Sequence, residues 1–177
     1  MKKACLSLLM ILSSVAVSAC QTPLASVATP GSLRAQNTPP VQVQFYDTAK
    51  DAYRWAEIEA RRWDFSARLA KVEARNIDEQ GRSFEWKYYF TAMGKDKALM
   101  VSSRRDVREV RDDFFGGGFM GLSWQVDSDQ ALKKAMEKGL KTFPVQSMEL
   151  DSFLTWEINS WEGYYRIDAR TGEISQR

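Results

Sequence analysis

Catalysis needs side chains that can attack, take up a proton or hold a metal, and this chain holds few of them. There is no histidine, and the two cysteines are Cys5 and Cys20. Without imidazole the Ser-His and Cys-His nucleophilic sites fall away, and with them nearly all zinc and copper sites. Adjacent carboxylates such as Asp112 and Asp113 are the right groups for glycoside hydrolysis, but in so charged a run they read as solvated surface. Asp127-Ser128-Asp129 offers alternate oxygens to calcium, yet it lacks the further spaced ligands of a binding loop and reads as a helix cap. The stretch from Phe114 to Gly121, FFGGGFMG, is rich in glycine but no Gly-Lys-Ser/Thr follows it, so it is not a phosphate loop. The residue types therefore predict a non-enzyme with no cofactor and no metal.

The thiol of Cys20 has a setting of its own. Lys2 and Lys3 precede an uncharged, Ser-rich apolar stretch that ends in small residues, which is the grammar of a secretory signal peptide. The stretch is shorter than the roughly 20 apolar residues of a spanning helix. Val17-Ser18-Ala19-Cys20 resembles the bacterial lipobox, where a signal peptidase cuts before the cysteine and its sulfur carries a diacylglycerol. The resemblance implies that residues 1–19 are removed and that Cys20 is the lipid anchor. At about 0.8 kcal/mol per buried methylene, several acyl chains make a stable anchor. Gln21, where an aspartate would signal inner-membrane retention, favours the outer membrane if the host envelope has two membranes. The expected location is the cell envelope, on the membrane by lipid.

With Cys5 discarded and Cys20 acylated, the folded part has no disulfide to draw on and must rely on packing. All nine Phe, six Trp and six Tyr lie at or after Phe45, so a folded domain is expected from about residue 44. Residues 20–43 hold four of the five prolines (Pro23, Pro30, Pro39, Pro40), one charge at Arg34 and no aromatic. That composition predicts a flexible tether with a reach of roughly 25 to 30 Å. The net charge of +2 vanishes once Lys2 and Lys3 are removed. The richest basic run, Arg104, Arg105, Arg108 and Arg111, is interleaved with Asp106, Glu109, Asp112 and Asp113, which argues against a nucleic-acid partner.

The folded part shows a weak internal repeat. Asp47 or Thr48 can cap a helix whose apolar positions are Ala49, Ala52, Tyr53, Ala56 and Ala60. Asp127 or Ser128 can cap a second, with Leu132, Ala135 and Met136 as its stripe and Gly139 as its end. Small residues on both faces suggest helices lying close against a sheet. After the first helix, Phe84, Trp86, Tyr88 and Phe90 alternate with polar or exposed positions, the period of a half-buried strand, between turns at Asp78–Gly81 and Met93–Asp96. After the second come Val145 to Leu150, then Leu154, Trp156 and Ile158, then Tyr165 and Ile167. Trp86 and Trp156 occupy equivalent places. Asp168 to Gly172 turn the chain and Glu173-Ile174 begin a last strand. Hairpin-length connections leave no room for parallel crossovers, so the class is α+β with two helix-plus-antiparallel-sheet units.

Ala131 and Ala135, Trp156-Glu157-Ile158, and above all Tyr165-Arg166-Ile167-Asp168-Ala169-Arg170-Thr171-Gly172-Glu173-Ile174 resemble the PepSY-type domain, a cystatin-like helix on an antiparallel meander. The first unit resembles it loosely, having Ser102-Ser103-Arg104-Arg105-Asp106 in place of the Asp-Ala-x-Thr-Gly turn. The resulting expectation is a diverged first unit over 44–113, a Gly-rich connector over 114–121 and a second unit over 122–177. The resemblance implies binding rather than catalysis: a protein partner, with an envelope or secreted peptidase as the candidate to be restrained. A carrier or sensor for small apolar ligands is the alternative. Phe114, Phe115 and Phe119 either tuck into the core on both sides of the connector or present aromatics to a partner. Trp161, at an expected hairpin tip, raises the same choice.

Overall fold

The computed structural model describes residues 47–114, 118 and 123–175. Cys20, the segments expected as signal peptide and tether, Phe115 and Phe119 lie outside them. The described residues all belong to one compact unit, Val41–Arg177.

Among the described residues two helices and eight strands follow one another as a repeat. The first half comprises α1 (Ala49–Trp63), β1 (Arg68–Ile77), β2 (Trp86–Thr91), β3 (Lys97–Ser102) and β4 (Val107–Arg111). The second comprises α2 (Ser128–Glu137), β5 (Val145–Leu150), β6 (Thr155–Asn159), β7 (Tyr164–Asp168) and β8 (Ile174–Ser175). The expectation of two separate units is corrected here, because β1 pairs antiparallel with β5 and makes one sheet in the order β4-β3-β2-β1-β5-β6-β7-β8. The physical reason is that β1 and β5 would each be an inner edge with unpaired amides if the halves stood apart. Pairing them satisfies both edges and joins their buried faces.

The join is visible in the register. Val101, Tyr88, Val72, Leu150, Trp156, Ile167 and Ile174 stand side by side from β3 to β8. This apolar row lies under both helices, since side chains alternate between faces and paired residues share one. Helix α1 covers β2 and β3, and α2 covers β6 and β7. Ala49, Ala56 and Ala60 of α1 and Ala131 and Ala135 of α2 are buried, and their small size permits the close approach. Leu132 and Ala135 of the expected α2 stripe are buried together with Ala131, whereas Met136, expected with them, is 42% exposed. Strand β2 starts at Trp86 rather than Phe84, which sits in the preceding loop under the Arg104 guanidinium at 3.8 Å.

Aromatic rings fill the core beneath the helices. Trp86 and Trp156 meet edge to face at 6.1 Å, Trp124 lies 5.4 Å from Trp156, and Tyr53 touches Tyr88, Phe90 and Trp124. The two expected equivalents are equivalent in bonding as well. Trp86 Nε1 donates to the Asp47 carbonyl at 2.9 Å and Trp156 Nε1 to the Val126 carbonyl at 2.8 Å. Each carbonyl belongs to the residue just before a helix cap, Thr48 or Asp127. The β1–β2 and β5–β6 loops also match: Asp78 Oδ1 accepts from Gln80 N and Arg82 N, and Asp151 Oδ1 from Phe153 N and Thr155 N.

Both helices begin at one junction. Asp127 Oδ1 accepts from Ser128 N at 2.7 Å and from Lys50 N at 3.1 Å, so one carboxylate serves the first turns of α2 and α1. Ser128 Oγ accepts from Ala49 N at 3.1 Å and donates to the Gly81 carbonyl at 2.7 Å. Gln130 returns a bond to Asp127 N, completing a capping box. Gly81 has φ +73, and a Cβ there would stand 2.4 Å from the Asp129 backbone, so only glycine fits. Burial pushes the Asp127 carboxyl above its ordinary value, against the opposing bonds from Thr48, Ser128 and Lys50.

Candidate binding surface

The strand directions gather three neighbouring turns at the end of the sheet that also holds the β7–β8 turn: α1–β1, β2–β3 and β5–β6. Each carries a large apolar side chain that the core does not use. Phe65 is 86% exposed, Met93 85% and Phe153 72%. Local bonds hold the backbones that turn them outward. Asp64 Oδ1 accepts from Ser66 N and Ser66 Oγ, and Arg61 Nη1 donates to the Phe65 carbonyl. Ser66 Oγ in turn accepts from Met93 N at 3.3 Å, which ties the first two turns together. The Ser66 hydroxyl and amide hold the Asp64 carboxyl below its ordinary value. In the third turn Asp151 Oδ1 accepts from Phe153 N, while Leu154, at φ +63, is buried and leaves Phe153 outside. Apolar side chains gathered into an exposed patch, rather than scattered singly, are the kind of feature that marks contact surface.

The connector reaches the same end. Phe114 is half-buried on the helix-free face of the sheet, its ring 5.3 Å from Tyr89. A Cβ at Gly118 would lie 2.7 Å from Arg68 Cβ and from the Arg68 and Leu69 carbonyls, so a glycine is required where the connector passes the start of β1. Trp124 is then buried on the helix side. Of the residues singled out from sequence, Phe114 packs on Tyr89, whereas Trp161 is 75% exposed at the β6–β7 tip. The strand directions put that tip at the opposite end, so the structure does not bring Phe114 and Trp161 together. The Ser160 hydroxyl bonds both the amide and the carbonyl of Gly163 to hold the tip. Phe65, Met93 and Phe153 were missed by sequence reasoning. Their signal was a large apolar residue inside turn chemistry: Asp-Phe-Ser, Ala-Met-Gly and Asp-Ser-Phe.

The helix-free face offers charge rather than apolar surface. Lys87, Glu73, Glu149, Glu157 and Arg166 form one row across β2, β1, β5, β6 and β7. Neighbouring carboxylates would repel, and Lys71 answers this by bridging Glu73 at 2.9 Å and Glu149 at 2.8 Å. Arg166 pairs with Glu157 at 3.4 Å. Burial raises the Glu73 carboxyl, but the Tyr89 hydroxyl at 2.7 Å and the Lys71 ammonium outweigh it and hold the group below its ordinary value. A carboxylate so held is a weak base. A cleft of about 530 Å³ lies over this seam, lined by Glu73, Arg75, Phe84, Lys87, Ser147 and Glu149 among others. Among the described residues no three His, Cys, Asp or Glu side chains converge as metal ligands, and no described helix is long and apolar enough to cross a membrane.

No protein-family model, curated protein or solved structure matches this chain.

Proposed function

We propose that the chain is a lipid-anchored envelope protein that acts by binding another protein, docking it on the end of the sheet that carries Phe65, Met93 and Phe153. The observation behind this reading is the exposure of three large apolar side chains on bonded turns at one end of the sheet. The sequence resemblance to the PepSY-type domain adds a candidate for the partner, an envelope or secreted peptidase held in check. A small apolar ligand would need space beneath the helices, where Trp86, Trp124, Trp156 and Tyr53 are in ring contact. That packing weighs against the carrier. Cys20 carries the membrane anchor in this reading, and no residue is assigned to catalysis.

The test uses the full-length chain in its host, with a photo-crosslinking side chain at position 65, 93 or 153, or at the exposed Lys133 of α2 as control. One envelope protein captured at the first three positions and not at 133 supports the proposal. Equal background at all four ends it. In the same strain, Cys20→Ser should move the protein from the membrane fraction to the soluble one, and full retention on the membrane would remove the anchor from the reading.

A further inference from the structure

Strand β4 ends the sheet on the first-half side, and no described strand pairs with its outer side. The Ser102 amide donates to the Asp106 carbonyl at 2.7 Å, one step beyond the Val101–Val107 pair. Bonded and non-bonded pairs alternate along an antiparallel ladder. Val107, Glu109 and Arg111 therefore aim their amides and carbonyls outward. An edge of this kind is a template for another strand, and charges along it usually deter one.

The order of these charges deters the symmetric pairings centred on charged residues of β4, and a pairing about Val107, which would set Asp106 opposite Arg108, would draw Arg104 and Arg105 of the β3–β4 turn into the ladder. Two copies related by a two-fold axis pair antiparallel only about a residue that faces itself. Centring on Arg108, Glu109 or Arg111 sets like charges opposite one another. Centring on Val110 sets valine on valine, Glu109 opposite Arg111 of the second copy, and Arg108 opposite Asp112 of the second copy, each twice. The faces agree as well. Glu109 and Arg111 share the helix side of the sheet, where Trp63 Nε1 holds Glu109 Oε1 at 3.0 Å. Arg108 and Val110 share the other face with Met100 and Ala98. We propose that a second copy of this chain docks here, β4 on β4 about Val110, continuing one sheet through both copies.

The ion pairs that would exchange, Lys97–Glu109 at 3.4 Å and Arg111–Asp113 at 2.8 Å, are exposed and so cost little to give up. A five-residue edge makes a small interface, so the dimer is concentration-dependent. This inference is independent of the docking end proposed above.

The test again uses full-length protein in membranes, under mild oxidant, read on non-reducing gels. Val110→Cys faces itself across a non-bonded pair, where Cα atoms approach to about 4.5 Å, within disulfide range. It should give a covalent dimer above the wild-type background, and Arg108→Cys and Arg111→Cys should not. In the Val110→Cys chain, Glu109→Arg or Arg111→Glu alone should lower dimer yield about tenfold, because each turns two attractive pairs into repulsive ones. Co-expressing these two single variants restores opposite charges at every contact and should restore a mixed dimer. Equal cross-linking at 108, 110 and 111, a disulfide from the Val110→Cys chain to a different protein in place of the dimer, or no recovery on co-expression overturns the proposal. Undiminished resistance to trypsin confirms that each variant is folded when it is read.

Discussion

The two halves of the sheet use the same parts and finish them differently. Each has a helix, a tryptophan donating to the carbonyl before the helix cap, and an aspartate closing the first hairpin. In the second half the β7–β8 turn is closed by Asp168 Oδ1, which accepts from Arg170 N and Thr171 N, with Gly172 at φ +77. In the first half Ser102 Oγ accepts from Arg104 N, and the left-handed position falls to Arg105 at φ +75. The second half ends in a two-residue strand and the first in a five-residue one. The common parts lie in the core and hold the scaffold. The differing parts lie at turns and edges, where we propose that other molecules dock.

The comparison can be broken most forcefully at its shared element. Trp86→Ala and Trp156→Ala should each cost about 3–5 kcal/mol, similar in size if the two indoles play one role. Urea unfolding of the two variants measures this, and a loss confined to one of them would make the likeness superficial. Next in size is Asp127→Ala, which removes a cap from both helices. With about 1 kcal/mol per cap it should cost roughly twice what Thr48→Ala costs, whereas equal losses would mean that the carboxylate serves one helix alone.

The turns differ by less. Arg105→Gly relieves a side chain from left-handed backbone and should stabilise by about 0.5–1 kcal/mol, and Gly172→Ala should destabilise by a similar amount. The Arg105 guanidinium rests 3.8 Å over the Trp55 ring, and a net loss on Arg105→Gly would show that this contact outweighs the strain. The smallest effect concerns pH. Glu73 is held below its ordinary value in the fold, so its contribution is present above the unfolded carboxylate pKa and fades as pH falls through the folded one. Asp127, raised by burial, acts in the opposite sense. Thermal midpoints of Glu73→Gln should fall less steeply below about pH 4.3 than those of the parent, and parallel curves would remove Glu73 from the acid sensitivity.

Much of this was legible because it is local. Trp86, Tyr88 and Phe90 announce a strand by alternation, Val145–Leu150 appears with its expected bounds, and Thr48 and Asp127 are caps by residue type. What escaped depends on partners distant in sequence. The pairing of β1 with β5 has no local marker, and a register irregularity between Leu69 and Lys71 blurs the period of β1 itself. The shared caps join residues 77 and 79 positions apart. Phe65, Met93 and Phe153 are ordinary apolar letters until the turns around them are placed. Sequence reasoning looked for exposed large side chains in the connector and at Trp161, and the structure also exposes Phe65, Met93 and Phe153 in turns near the connector.

The helix junction also sets an order of events in time. The first half leaves the ribosome first, yet the groups that cap α1 from outside, Asp127 and Ser128, follow it by more than seventy residues, and β1 has no inner neighbour until β5 arrives. During synthesis the leading half therefore has a helix capped by Thr48 alone and an open strand. A chain bound for export, as we propose for this one, must stay unfolded until it has crossed a membrane, and this architecture withholds its last stabilising contacts until nearly all of the chain is present.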